Sequence, residues 1–71
     1  MRRIAVDPGI NGGRPTIVGT RVRVSDVVEM VAGGAERNTI LADFPYLADD
    51  DISAALLYAA RAASHRVVRA A

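Results

Sequence analysis

The stretch that decides the fold is a turn-rich segment, residues 7–24, which reads DPGINGGRPTIVGTRVRV. Its glycine and proline runs are typical of turns, because glycine adopts positive φ at little cost and proline fixes φ near the value that a turn needs. A β-branched stretch, residues 15–18, ends at Gly19, and an alternating stretch, residues 21–24, follows. We therefore expect the first third of the chain to form short strands joined by tight turns.

Working outward, residues 3–6 also alternate and predict a first strand. In residues 21–24 the alternation places Val22 and Val24 on one face and two arginines on the other. Strands this short are marginal by themselves, and pairing with the same strands of a second copy would satisfy their edges. We therefore expect a homodimer through this arm, with contacts from Ile4, Val6, Ile17, Val22 and Val24.

Three helices are predicted after the arm. Ser25 is a good N-cap for the first helix, which consecutive glycines end at 33–34. A second short helix is expected over residues 35–43, because a Phe-Pro pair follows it. The third helix should be capped by Asp49 or Asp50 and run nearly to the end of the chain, so that its C-terminal half projects beyond the two short helices. Its apolar residues at helical spacing are Ile52, Leu56, Ala59, Ala63 and Val67.

This order of elements predicts an α+β fold, mostly α, in one domain of residues 1–71. It divides into a β arm (1–24), a three-helix core (25–60) and a C-terminal helical extension (61–71). Two short helices and one long helix with tight connections are similar to the tri-helical class that includes helix-turn-helix domains.

The composition limits what the domain can use for stability. A chain of 71 residues buries only about 60% of its unfolded surface. Cysteine is absent and His65 is the single histidine, so disulfides and thiolate or all-histidine metal sites within one chain are excluded. We expect no metal and no cofactor, and we expect support from a second copy or a partner. The sequence shows no signal peptide or membrane span, so a cytoplasmic protein is expected.

The net charge of +1 is unevenly distributed. Residues 1–23 carry five arginines and one aspartate, giving +4. Residues 24–53 carry seven acids and one arginine, giving −6, and residues 54–71 carry three arginines and no acid, giving +3. The basic ends are either an ordinary solvated surface or the contacts to an anionic partner.

Two motifs carry a resemblance to a known family. The pattern DP…GGRP.I.GTR..V stands here as DPGINGGRPTIVGTRVRV, and FP.L…DI.AAL.YAA stands within ILADFPYLADDDISAALLYAA. Between residue 4 and about residue 60 the chain resembles domain-of-unknown-function family 433. The resemblance implies a VapB-type antitoxin, a PIN-like ribonuclease toxin as partner, a homeodomain-like fold with an N-terminal β arm, and dimerisation.

A homeodomain-like fold would place the third helix in the major groove of DNA. The three aspartates 49–51 at its start would repel phosphates, and helix capping explains them better than a metal site does. The basic arm is therefore the better candidate for operator DNA, through phosphate contacts. Its expected DNA-binding residues are Arg2, Arg3, Arg14, Arg21 and Arg23.

A second basic set lies on the last helix, where Arg61, His65 and Arg69 share one face at spacings of four. This face is either solvated or docks on the toxin, where an arginine would pair with the carboxylates of a nuclease metal site. The expected toxin-binding residues are Leu57, Tyr58, Arg61, His65, Arg66, Val68 and Arg69.

Catalysis is not expected. Ser64 adjoins His65 on the helix and points elsewhere, and no other serine has a histidine at plausible spacing. The glycine-rich segment lacks the lysine and the spacing of a phosphate-binding loop. The sequence therefore predicts a binding protein. The resemblance to family 433 implies an antitoxin that neutralises its toxin and binds operator DNA, and the alternative is a freestanding helix-turn-helix regulator without a toxin. A purely structural interaction module is a third possibility.

Overall fold

The computed structural model describes residues 3–9 and 11–65. Over these residues the chain forms a two-stranded antiparallel sheet near the N-terminus and three helices. The expected α+β, mostly α architecture is confirmed at this level. The strands and helices in chain order are β1 (Ile4–Ala5), β2 (Thr16–Ile17), α1 (Val24–Ala32), α2 (Arg37–Asp43) and α3 (Asp49–His65), with a 3-10 turn at Asn11–Gly13 between the strands.

The sheet pairs Ile4 with Ile17 and Ala5 with Thr16. The stretch expected as a third strand, residues 21–24, pairs with β2 through one bridge between Thr16 and Arg23. Backbone hydrogen bonds hold it there: the Ile17 N–H donates to the Val22 carbonyl at 2.9 Å. The third strand is shorter than expected because helix α1 already begins at Val24.

A tight turn joins β2 to this bridged segment. The Thr20 N–H donates to the Ile17 carbonyl at 3.0 Å, and Gly19 between them has a φ of 82°, which a residue with a side chain rarely adopts. The Thr20 hydroxyl donates to the same carbonyl at 2.8 Å and accepts from the Val22 N–H at 3.0 Å. Gly19 thus supplies the positive φ that the turn needs, and Thr20 takes part in the three hydrogen bonds that hold it.

The N-cap of helix α1 lies two residues before Ser25, where it was expected. The N-cap is Arg23, and Ser25 lies in the first turn. The expectation was wrong because the capping group is the Asp26 carboxylate, which accepts from the Arg23 backbone N–H at 3.0 Å. An acid at the third helical position reaches back in this way in a capping box.

The expected end of α1 at residues 33–34 is confirmed, and it explains why α2 starts late. The Gly34 N–H donates to the Val31 carbonyl and the Ala35 N–H donates to the Met30 carbonyl, both at 3.0 Å. Gly34 has a φ of 94°. These are the two bonds of a Schellman motif. Because Ala35 belongs to the end of α1, helix α2 begins at Arg37 and not at residue 35.

The core lies between α1 and α3, with the strands and α2 packed around it. Val27, Ile52 and Ala55 are completely buried at 0% exposure. The other buried apolar residues of the core are Ile17, Val22, Val24, Ile40 and Leu47.

The valines expected to face inward do so, but they face the core of their own chain. Ile17, Val22 and Val24 are buried within one protomer, Ile4 is partly buried, and Val6 is 57% exposed. Three of the five residues expected at a dimer contact are therefore already covered. Of the five, Val6 is the exposed residue that a dimer through the arm could still cover.

We predict that Ile52→Val lowers the free energy of unfolding by about 0.5–1.5 kcal/mol, because it removes a methylene from a fully buried site. Urea unfolding followed by circular dichroism measures the change. The control is Leu57→Ala in the same helix, which removes more atoms from a side chain that is 52% exposed. A larger loss for Leu57→Ala than for Ile52→Val would contradict the assignment of the core.

Candidate binding surfaces

The first turn of α3 is stabilised by Asp51. Its carboxylate accepts from the Ala48 backbone N–H at 2.9 Å and from the Arg3 guanidinium at 2.8 Å. The capping group is therefore Asp51 and not Asp49 or Asp50, because only an acid three residues past the cap reaches back to that N–H. Asp50, which is exposed, lies 3.6 Å from the same guanidinium.

Asp49 faces α2 and contacts Arg37. The Arg37 Nε donates to its carboxylate at 2.7 Å, and the same guanidinium donates to the Asp49 carbonyl at 3.1 Å and to the Ser53 hydroxyl. The hydrogen bond from Arg37 lowers the pKa of Asp49 below its usual value. All three aspartates thus lie beside an arginine of the same chain, as stabilised charges at a helix N-terminus.

Asp26 makes a further arginine contact at the start of α1. The Arg23 side chain donates to its two carboxylate oxygens at 3.2 and 2.9 Å. Partial burial acts to raise the pKa of Asp26, but hydrogen bonds from the side chain and backbone of Arg23, with its charge, bring the pKa below the usual value. The same contact raises the pKa of Arg23. The Arg23 guanidinium therefore contacts a carboxylate of its own chain.

The structure describes four of the five arginines expected to bind DNA. Arg3 and Arg23 form ion pairs with aspartates of their own chain. Arg14 and Arg21 are exposed on the arm. Arg2 lies outside the described residues.

The residues expected to bind a toxin begin on the exposed half of α3. Leu57 is 52% exposed and Tyr58 is 37% exposed, and Arg61 is exposed one turn further along. His65 is the last residue of α3 as described. The remaining members of this set lie outside the described residues: Arg66, Val68 and Arg69.

A groove of about 450 Å³ runs beside this half of α3. We call it the α1–α3 groove. Its floor and walls are mostly apolar, and Arg14 and Glu29 bring opposite charges to its lining. The lining residues are Arg14, Pro15, Val24, Ser25, Val28, Glu29, Tyr58, Ala59 and Ala62. The groove is thus lined both by Arg14, which was expected to bind DNA, and by Tyr58, which was expected to bind the toxin.

A second hollow, of about 520 Å³, is lined by Gly19, Thr20, Arg21 and Tyr46. We call it the turn hollow. Tyr46 is 64% exposed, and its ring meets Phe44 edge to face at 6.2 Å between centroids. Sequence reasoning missed Tyr46, because it lies in the connector between α2 and α3. A large aromatic residue beside a proline in a connector was the feature that could have identified it.

The described ranges contain neither a metal cluster nor a membrane-spanning helix. No group of three or more His, Cys, Asp or Glu side chains in residues 3–9 and 11–65 is arranged to hold a metal ion. Over the same residues, every helix is too short or too polar to cross a membrane.

The described residues form a small, mostly helical α+β domain. The chain belongs to the family described as protein of unknown function (DUF433), whose model matches residues 4–59. The match runs from β1 through most of α3 and ends beside the exposed turn that carries Arg61. Comparisons with curated proteins and with solved structures gave no match.

We predict that Asp26→Asn makes the domain less stable at pH 7 by about 0.3–1 kcal/mol, because the amide keeps an oxygen for the Arg23 N–H but loses the negative charge that the helix N-terminus favours. Because the pKa of Asp26 is lowered by folding, its stabilisation is present above its unfolded pKa of about 3.9 and is lost as pH falls through the folded value. Between about pH 5 and pH 3 the variant should therefore lose less stability than the natural protein.

Urea unfolding at several pH values measures both effects. Asp43→Asn is the control, because Asp43 is an exposed carboxylate at the end of α2. Identical acid profiles for the natural protein and Asp26→Asn would show that the Arg23–Asp26 contact does not stabilise the fold.

Proposed function

We propose that this protein is the antitoxin of a toxin–antitoxin pair, which binds and neutralises a PIN-like ribonuclease toxin and binds operator DNA. The observation that carries the proposal is the exposed half of α3. It presents Leu57 and Tyr58 to solvent beside the apolar α1–α3 groove. The resemblance to family 433 supplies the type of partner.

The α1–α3 groove supports docking of a protein partner. Aliphatic and aromatic anchors beside a concave apolar surface are what helix-in-groove recognition uses. Burying an exposed leucine or tyrosine gives about 25 cal/mol for each Å² of apolar surface removed from water. A partner that covers Leu57 and Tyr58 and also fills the groove therefore gains binding free energy from apolar burial at two adjoining surfaces.

Arg61 adds a charge to this surface. Its guanidinium is a planar fork, which pairs with two carboxylate oxygens and suits the acidic metal site of a PIN-like nuclease. Inserted there, it would displace the metal or the substrate. His65, Arg66, Val68 and Arg69 belong to the same proposal as the continuation of the basic helix.

The DNA part of the proposal rests on the arm. Arg14 and Arg21 are exposed, whereas the first two turns of α3 contain aspartates and no arginine or lysine. Phosphate contacts are therefore assigned to Arg14 and Arg21, with Arg2 in support. A recognition-helix role for α3 is not part of the proposal.

A homodimer through the arm is also proposed. Val6 and Val18 are 57% and 51% exposed, and they offer apolar surface at the two-stranded sheet. Covering both, together with pairing of the short strands, would reduce the exposed edge of the sheet.

We predict that Tyr58→Ala with Arg61→Glu weakens binding to the nuclease encoded beside this protein by about 30-fold or more, as expected for hot-spot residues. Co-purification followed by isothermal titration calorimetry measures the loss. The matched control is Tyr46→Ala, an equal truncation of an exposed tyrosine outside the groove. Equal weakening by both changes, or none by either, would contradict docking on α3.

We predict that Arg14→Gln with Arg21→Gln weakens binding to upstream duplex DNA and lowers the slope of log K against log salt by about 0.9 for each phosphate that is no longer neutralised. Gel shifts at several salt concentrations measure this, with Arg61→Gln as the control. A salt slope that stays the same in the double variant would contradict phosphate binding by the arm.

The same assay separates the second candidate function. The lone chain already exposes Arg14 and Arg21, so DNA binding through them would not require a toxin. This observation favours a freestanding DNA-binding regulator as the alternative. Tight operator binding by the lone chain, together with no binding to the neighbouring nuclease, would support the regulator. Operator binding that requires the nuclease would support the antitoxin.

A further inference from the structure

We propose that the turn hollow binds one nucleotide unit of a single-stranded nucleic acid, with the base stacked on Tyr46 and the phosphate paired with Arg21. Both groups line the same hollow of about 520 Å³. Operator binding concerns duplex DNA, so this site adds a different class of nucleic acid to the proposed function. It does not depend on a toxin partner.

The Tyr46 ring is exposed but firmly placed. It is 64% exposed, and Phe44, which packs against the core, meets it edge to face with the planes at 86°. The next residue, Leu47, is buried, and its N–H donates to the Phe44 carbonyl at 2.9 Å. The contact with Phe44 and the turn that ends at buried Leu47 limit the conformations open to the Tyr46 ring. Little conformational entropy is therefore lost when a base stacks on it.

The tight turn at Gly19 also lines the hollow. The Thr20 hydroxyl is engaged with the Ile17 carbonyl and the Val22 N–H, so it holds the turn. A Cβ built on Gly19 meets nothing within 4 Å, which shows that the space beside its backbone is open. Arg21 directly after this turn therefore supplies the positive charge of the hollow from a fixed backbone.

A planar ring beside an arginine matches the two parts of a nucleotide. Bases stack on aromatic side chains without regard to sequence, and phosphate takes the guanidinium. In a duplex the bases are already stacked inside, and Tyr46 has no base face to meet. The hollow therefore favours a single strand, whose bases are accessible.

Among the residues that the structure describes, the turn hollow and the α1–α3 groove have no lining residue in common. An oligonucleotide at Tyr46 and a protein at Tyr58 thus contact different side chains. This separation makes the two tyrosines matched controls for each other.

The test is fluorescence anisotropy of a labelled single-stranded oligothymidine at low salt, with the full chain and with a duplex of the same length for comparison. We expect the single strand to bind more tightly than the duplex at this hollow. Tyr46→Ala should weaken binding roughly fivefold to a hundredfold, the range for removal of one base–aromatic stack. Tyr46→Phe should bind like the natural protein, and so should Tyr58→Ala.

Arg21→Gln gives an independent measurement, because removing one phosphate contact should lower the salt slope for a single strand by about 0.7. Single-strand binding that is unchanged in Tyr46→Ala would overturn the inference, as would an equal loss in Tyr46→Phe and Tyr46→Ala. Duplex binding without single-strand binding would overturn it too, and would leave operator binding intact. Preference for a phosphotyrosine peptide over the oligonucleotide would also overturn it.

Discussion

The packing of α1 against α3 is the contact on which the rest of the structure depends. Val27 from α1 meets a surface of α3 that includes Ile52 and Ala55, and all three side chains are fully buried. A small residue at Ala55 leaves room for the facing helix to come close. Helix α1 has 9 residues and α3 has 17, so α1 is about 12 Å shorter. Leu56 and Ala59 of α3 pack against the core, whereas Leu57 and Tyr58 lie on the other side of the helix and are exposed.

The start of α3 joins the remaining elements to that pair of helices. Three carboxylates at a helix N-terminus are favoured by the helix dipole but repel one another. Arg3 from the arm and Arg37 from α2 lie beside them, and Asp51 also satisfies a backbone N–H. This arrangement uses Arg3 inside the chain. Among the described residues of the arm, Arg14 and Arg21 are exposed, and Arg3 and Arg23 lie against aspartates of their own chain.

Local features of the fold were readable from the sequence, and distant pairings were not. The glycine turns, the three helices and the inward side of Val22 and Val24 follow from spacing within a few residues. The contact between Arg3 and Asp51 joins residues 48 positions apart, and no pattern in one sequence specifies it. In the same way, Val22 and Val24 were predicted to form a dimer contact because the arm is too short to bury them by itself. The helices of the same chain in fact cover them.

The site shows the same division between local and distant information. The exposed position of Arg61 on α3 follows from helical periodicity, whereas the turn hollow brings residues 19–21 to Tyr46 across two helices. The bridged segment beside β2 connects both surfaces. Its end at Val24 lines the α1–α3 groove and bonds to the Pro15 carbonyl, while its beginning at Arg21 lines the hollow. Both surfaces are therefore built on the same short hairpin, which backbone hydrogen bonds hold in place.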